Sequence, residues 1–350
     1  MPSTEFQLAV ECCRRRFAPG NDRHIAELGK RADWSRFLHL VRRHRVQALV
    51  WQSLSDAGAV PPTAVADALC ADAGLITEQN LRAAVESARL LESFAHAGVP
   101  LLFVKGLTVS KLAYGHAFLK MSQDIDILVP GKAIAGAAIE LQRLGYQLTV
   151  PDVPPQAQRI EAWHARRKES VWRSPDGLQL ELHGRLADSL DLIPHIGMNS
   201  PRQEVEVTPG IVLPTLARDE LFAYLCVHGA SSAWFRLKWI TDLAALLHDC
   251  SADEIVRLYG RSQRLGAGRA AAQALLLAHR VYGTSAMQGL DRKAVNRWLA
   301  SAAWKQMLRD EEPTAVRFGT ATIHLSQLFL LPGVRFPLRE VARQIAAVAA

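Results

Sequence analysis

The sequence predicts an α+β fold, rich in helix, with a small strand-bearing core between two helical regions. Two observations lead there. Apolar residues recur at helical spacing through the first ninety-odd positions and again beyond about residue 213, while short strand-like runs are confined to the stretch between. Inside that stretch strand and helix signals alternate within about fifty residues, the pattern of a compact α/β unit. The expected organisation is an N-terminal helical region over 1–97, a core over 98–212 and a C-terminal helical domain over 213–350.

Each element has a local reason. Asp33 is placed to cap a helix in which Trp34, Phe37, Leu38 and Val41 keep helical spacing. Pro61 and Pro62 interrupt the chain before an expected pair of helices. The second of these runs from about residue 76 to 96, with Leu81, Val85, Ala88, Leu91 and Phe94 as its apolar stripe and Gly98 as its stop. Residues 99–104 read as a continuous apolar strand, 106–117 as a helix and 125–129 as a second strand. A helix over 133–144 ends at Gly145, and 146–150 forms a third strand. After a break at Pro151, Pro154 and Pro155 come a strand over 169–173 and the hairpin turn signal Asp176-Gly177. The strand that follows alternates cleanly: Leu178, Leu180 and Leu182 on one face, Gln179, Glu181 and His183 on the other. From about Leu213 the chain returns to helix, with Asp219 and Glu220 at a helix start.

Composition narrows the class. A chain of 350 residues that is 49% hydrophobic and 21% charged is globular and long enough for two or three domains. The five cysteines are odd in number and show no Cys-x-x-Cys spacing, which argues against a disulfide framework or a zinc site and fits a reducing compartment. Glu5, Glu11 and Arg14 interrupt any apolar leader, and no run approaches the roughly 18 apolar residues of a membrane span. A cytoplasmic protein without a membrane partner is expected. The net charge of +7 favours anionic partners, although the excess is spread along the chain.

The chemistry concentrates in one segment. The strand over 101–104 ends in Lys105-Gly106 and turns into a helix, and a glycine turn of this kind offers free backbone N–H groups to a phosphate. About twenty residues later Asp124 and Asp126 project from the same face of the next strand. Two adjacent carboxylates stay ionised together when a cation lies between them, and Mg²⁺ suits oxygen ligands. Glu181 supplies a third acid on a strand's polar face. Three carboxylates and a phosphate cradle are the inventory of two-metal phosphoryl or nucleotidyl transfer, in which the third acid also serves as general base.

These motifs, in order, carry a resemblance. Gly98-Val99-Pro100, the 101–106 run, Tyr114, the 124–129 strand, Gly145-Tyr146 and Glu181-Leu182-His183 resemble the DNA polymerase beta-type nucleotidyltransferase superfamily. More narrowly they are similar to its uncharacterised bacterial nucleotidyltransferase branch. The segment from Cys226 through His228, Trp234, Arg236 and Trp239 to Asp242 resembles a second signature of that branch. The resemblance spans about residues 98–245. It implies a small mixed sheet flanked by helices, a nucleoside triphosphate substrate bound with Mg²⁺ (or Mn²⁺) in a two-ion site, and transfer of a nucleotidyl group to an acceptor hydroxyl. By position, Asp124, Asp126 and Glu181 would be the catalytic metal ligands. Lys105, Gly106, Thr108, Lys120 and His183 would face the nucleotide and its phosphates.

Two positions depart from the pattern. Leu107 stands where the superfamily has Ser or Gly after Gly106, and Lys120 where the branch usually has Arg, which keeps the charge without the bidentate fork. The acceptor, whether small molecule, sugar, peptide or protein, is not legible. Two other readings stand beside the enzyme: a degenerate nucleotide- or partner-binding relative, and a modifier of tRNA or other RNA. Nucleic acid is not the favoured partner, because no separate RNA-binding module is readable.

Overall fold

The computed structural model describes residues 2–348 apart from 153–155, 286 and 315–318, so Pro154 and Pro155 lie outside the described residues. Two compact units emerge, one of residues 1–75 with 222–350 and the other of residues 76–221. The chain is α+β and helix-rich, with fifteen α-helices, a five-stranded mixed sheet and a two-stranded hairpin among the described residues.

The discontinuous unit is helical. Leu8, Phe37, Leu49, Leu54, Tyr224 and Trp234 are fully buried within it. Asp33 does cap its helix Trp34–His44, its carboxylate accepting from the Arg36 N–H at 3.0 Å. Trp234 donates to Gln273 Oε1 at 3.2 Å, and its ring lies so close to Gly229 that any Cβ there would overlap it. The segment around Trp234 is thus a packing device. Arg43 and His44 are buried too. Arg43 donates to the carbonyls of Phe235 and Gln306, while His44 Nδ1 accepts from the Leu237 N–H at 2.9 Å.

The continuous unit holds the sheet. Its strands are β1 (Leu102–Phe103), β2 (Asp124–Leu128), β3 (Gln147–Val150), β4 (Glu169–Arg173) and β5 (Gln179–His183). They lie in the order β1-β2-β5-β4-β3. Only the β2–β5 pair is parallel; the other neighbours are antiparallel. One face is apolar: Ile125 and Ile127 of β2, Leu180 and Leu182 of β5 and Trp172 of β4 pack with Ala84, Leu90 and Phe94 of the helix Thr63–His96 and with Ala137 and Leu141 of the helix Ile134–Arg143. Each such side chain contributes about 1.5–3 kcal/mol when fully buried.

Several expected elements take a different form. The apolar run at 99–104 yields strand only at Leu102–Phe103, since Pro100 has no N–H to donate. The two helices expected after Pro62 are one helix of 34 residues, Thr63–His96. Gly74 within it costs only about 1 kcal/mol, too little to break a helix whose later turns are packed. Its buried stripe is Ala83, Ala84, Ser87, Leu90 and Phe94, whereas Leu81 and Val85 are exposed. A further hairpin, β6 (Arg202–Thr208) with β7 (Ile211–Leu216), completes this unit. Its Val205, Val207 and Leu213 join the same core.

Two buried imidazoles make the fold sensitive to acid. Burial, then the charges of Arg43 and Arg236, holds the His44 pKa well below its ordinary value. Burial and the neighbouring His183 depress His164 to about 4. Both are neutral in the folded chain and protonate on unfolding near pH 6.5, so each adds stability that is complete above about 6.5 and lost as pH falls towards the folded value. Glu181, raised to about 7, and His183, also raised, act with the opposite sign in the same window. The share of His44 is therefore read as a difference: in urea titrations between pH 7.5 and 5, wild type should lose stability relative to His44→Gln by up to about 1.4 kcal/mol per pH unit. Identical pH slopes in wild type and His44→Gln would clear His44 of any part in the acid sensitivity.

Candidate active site

The polar face of the sheet is assembled from three strands and one turn. After β1 the chain turns at Lys105-Gly106 into the helix Leu107–Tyr114. Gly106 has φ +67° and ψ −124°, a conformation essentially reserved for glycine. A Cβ there would also stand 2.8 Å from the Ser122 hydroxyl. Thr108 is buried and its hydroxyl donates to the Lys105 carbonyl at 3.2 Å, fastening the corner. Lys120, also buried, has its carbonyl bonded by Asn80 at 2.8 Å and its N–H directed to the Ser110 hydroxyl at 3.3 Å.

The parallel pairing of β2 with β5 sets Asp126 beside Glu181 and Leu128 beside His183. Asp124, half-buried, is the first residue of β2 and pairs with Gln179. The acids therefore occupy successive steps of one face. Asp126 is the most enclosed, only 4% exposed. Lys105 Nζ lies 2.6 Å from Asp126 Oδ1 and 3.7 Å from Glu181 Oε2. His183 Nε2 lies 3.0 Å from the same Asp126 oxygen and 3.4 Å from Glu181. Antiparallel pairing of β4 with β5 brings Glu169 opposite His183, with Glu169 Oε2 3.4 Å from Nδ1. Lys168 Nζ meets that same carboxylate oxygen at 2.5 Å.

Charge balance follows from this geometry. Burial pushes the Asp126 carboxyl up, yet the Lys105 charge and the bonds from His183 overcome it and hold the group well below the ordinary carboxylate range. Burial and the Asp126 charge drive Glu181 the other way, to about 7, against the opposing bond from His183. Burial alone would lower His183, but its contacts with Asp126, Glu181 and Glu169 raise it. For Glu169 the burial penalty is outweighed by Lys168 and His183.

The same groups could hold a metal. Among the described residues, ligand atoms of Asp126, Glu181 and His183 lie within 4.8 Å of one another. Two carboxylates and an imidazole suit a divalent cation, and the ammonium of Lys105 between the acids marks the position as one that favours positive charge. Asp124 is not part of that tight group. Sequence reasoning passed over Glu169 as a site residue. Counting outward along both strands from Asp176-Gly177 would have set it opposite His183.

Among known families, residues 30–283 match one described as an uncharacterised nucleotidyltransferase. No curated protein matches the chain. Among the described residues no helix is long and apolar enough to cross a membrane.

The corner at Gly106 is open to a direct test. Gly106→Ala combines the backbone strain with the Ser122 clash and is expected to cost about 1–3 kcal/mol in urea unfolding. Adding Ser122→Ala should recover the steric part and leave the backbone part. A fully stable Gly106→Ala would show that the corner tolerates a side chain.

Proposed function

Because the chain belongs to the uncharacterised nucleotidyltransferase family, we propose that it transfers a nucleoside monophosphate from a nucleoside triphosphate to an acceptor hydroxyl with the help of divalent metal. The observation that carries this reading is the convergence of Asp126, Glu181 and His183 on the parallel strand pair, beside a helix opened by Gly106. Asp126 and Glu181 would hold the ion, with Asp124 one step along the face for a second. Mg²⁺ is the expected ion and Mn²⁺ its substitute. When bound, the metal would neutralise charge on the triphosphate and on the attacking oxygen.

The chain's own residues supply the remainder. Lys105 holds a positive charge at Asp126 and is placed to pair with a phosphate oxygen once nucleotide arrives. The N–H groups that follow Gly106 face the phosphates. Glu181 takes the proton of the acceptor hydroxyl; the oxygen then forms a bond to the α-phosphorus as the bond to pyrophosphate breaks. Glu169, whose carboxylate lies 3.4 Å from His183 Nδ1, acts by its charge on the imidazole that is bonded to Asp126, a positioning role. The acceptor is a small molecule, sugar, peptide or protein, in preference to nucleic acid.

Thermal unfolding with each nucleoside triphosphate, with and without Mg²⁺, tests the reading. Wild type at about 100 Kd of ligand should gain on the order of 2.7 kcal/mol, only when Mg²⁺ is present. Asp124→Asn/Asp126→Asn should lose the gain while remaining folded. A shift of equal size in that variant, or one indifferent to Mg²⁺, would remove these carboxylates from metal binding.

A further inference from the structure

The ammonium of Lys105 stands on ground that a metal ion would need. Its Nζ meets Asp126 Oδ1 at 2.6 Å and Glu181 Oε2 at 3.7 Å, on the two carboxylates that converge with His183 as ligands. The side chain is only 12% exposed, so its charge is set into the cluster rather than reaching over it from solvent. Lys168 answers Glu169 at 2.5 Å, while Lys105 and the His183 imidazole answer Asp126 and Glu181. A dication bonded to those same acids would satisfy them and face the ammonium at short range, where poor solvation makes like charges repel strongly. One of the two must give way. The lysine is able to, because its ammonium is a compact charge on a flexible four-carbon stem. Its root lies at the Gly106 corner, directly before the helix Leu107–Tyr114.

Resting on the metal-dependent transfer proposed above, we infer that Lys105 is an exchangeable internal cation: it holds the metal position in the free protein, yields it to the ion and passes to the triphosphate. Binding of ion and triphosphate is thereby coupled. An ion arriving alone has to break the Lys105–Asp126 pair without replacing it. With triphosphate present, the displaced ammonium gains a phosphate oxygen as its new partner in a charge-assisted bond. By linkage, each ligand then strengthens the binding of the other by the same factor.

Titration of the full chain with Mn²⁺ alone, read by the electron paramagnetic resonance of the free ion, is the first test. Lys105→Met should bind Mn²⁺ about tenfold or more tighter than wild type, and Asp126→Asn should show no saturable binding. The second test needs no variant: limited acetylation of wild type, read by peptide mass spectrometry with the exposed Lys30 as internal reference. Mg²⁺ should raise the reactivity of Lys105 severalfold, and inorganic tripolyphosphate, added below the Mg²⁺ concentration, should protect it again. Mn²⁺ that binds none of these chains would overturn the metal reading and this inference together. Equal affinities in wild type and Lys105→Met, or acetylation of Lys105 indifferent to Mg²⁺, would overturn the internal cation alone. A Lys105 that stays reactive with tripolyphosphate present would overturn its passage to the phosphates.

Discussion

A carboxylate withdrawn from water must be answered by positive charge, and the sheet is arranged around that requirement at Asp126. The effective penalty for an uncompensated buried ion is several kcal/mol. Lys105 reaches Asp126 from the end of β1 and His183 from the end of β5, so two chain-distant segments are bound to one oxygen. Glu181 then sits near a charge it repels, and Glu169 answers the far nitrogen of His183. The result is a run of alternating charge, Lys105, Asp126, His183, Glu169 and Lys168, with Glu181 beside it.

The two faces of the sheet divide the work. The odd-numbered residues of β2 and the leucines of β5 lock onto helices and fix the strands in space. The acids on the opposite face inherit that rigidity without any loop of their own to hold them. A site built on strands in this way is preorganised, so binding need not order it. The glycine corner has the same effect beside them, since its backbone angles leave little freedom in where the helix Leu107–Tyr114 begins.

Much of this was legible from residue order. The alternation of β2 and β5 requires Asp126, Glu181 and His183 to share a face, and Asp176-Gly177 sets the β4–β5 hairpin. Gly98 ends its helix with the left-handed φ of +68° expected of it. What escaped reading depended on contacts far apart in sequence. Leu81 and Val85 have the right spacing for burial, yet Ala83, Ala84 and Leu90 face the core, because the partner surface selects among the faces of a long apolar helix. The β6–β7 hairpin was not anticipated, although Pro209-Gly210 lies at its turn. The placement of Lys105 between the acids is tertiary in origin, since spacing alone cannot say which cation reaches Asp126.

The parallel pairing of β2 with β5 has a kinetic corollary. Asp126 and His183 are 57 positions apart, and their strands can meet only after the intervening helices and strands have been looped back. Closure of so long a loop has an entropic cost that precedes the reward of the contacts it permits. Half of the acid cluster therefore has no meaning as an intermediate: a nascent chain that has emerged only as far as β4 carries Asp126 without the imidazole and carboxylate beside it. Cation binding at this cluster would then read out completed folding of the sheet, and any ligand that holds it would act as a clamp on the slowest-formed strand pair.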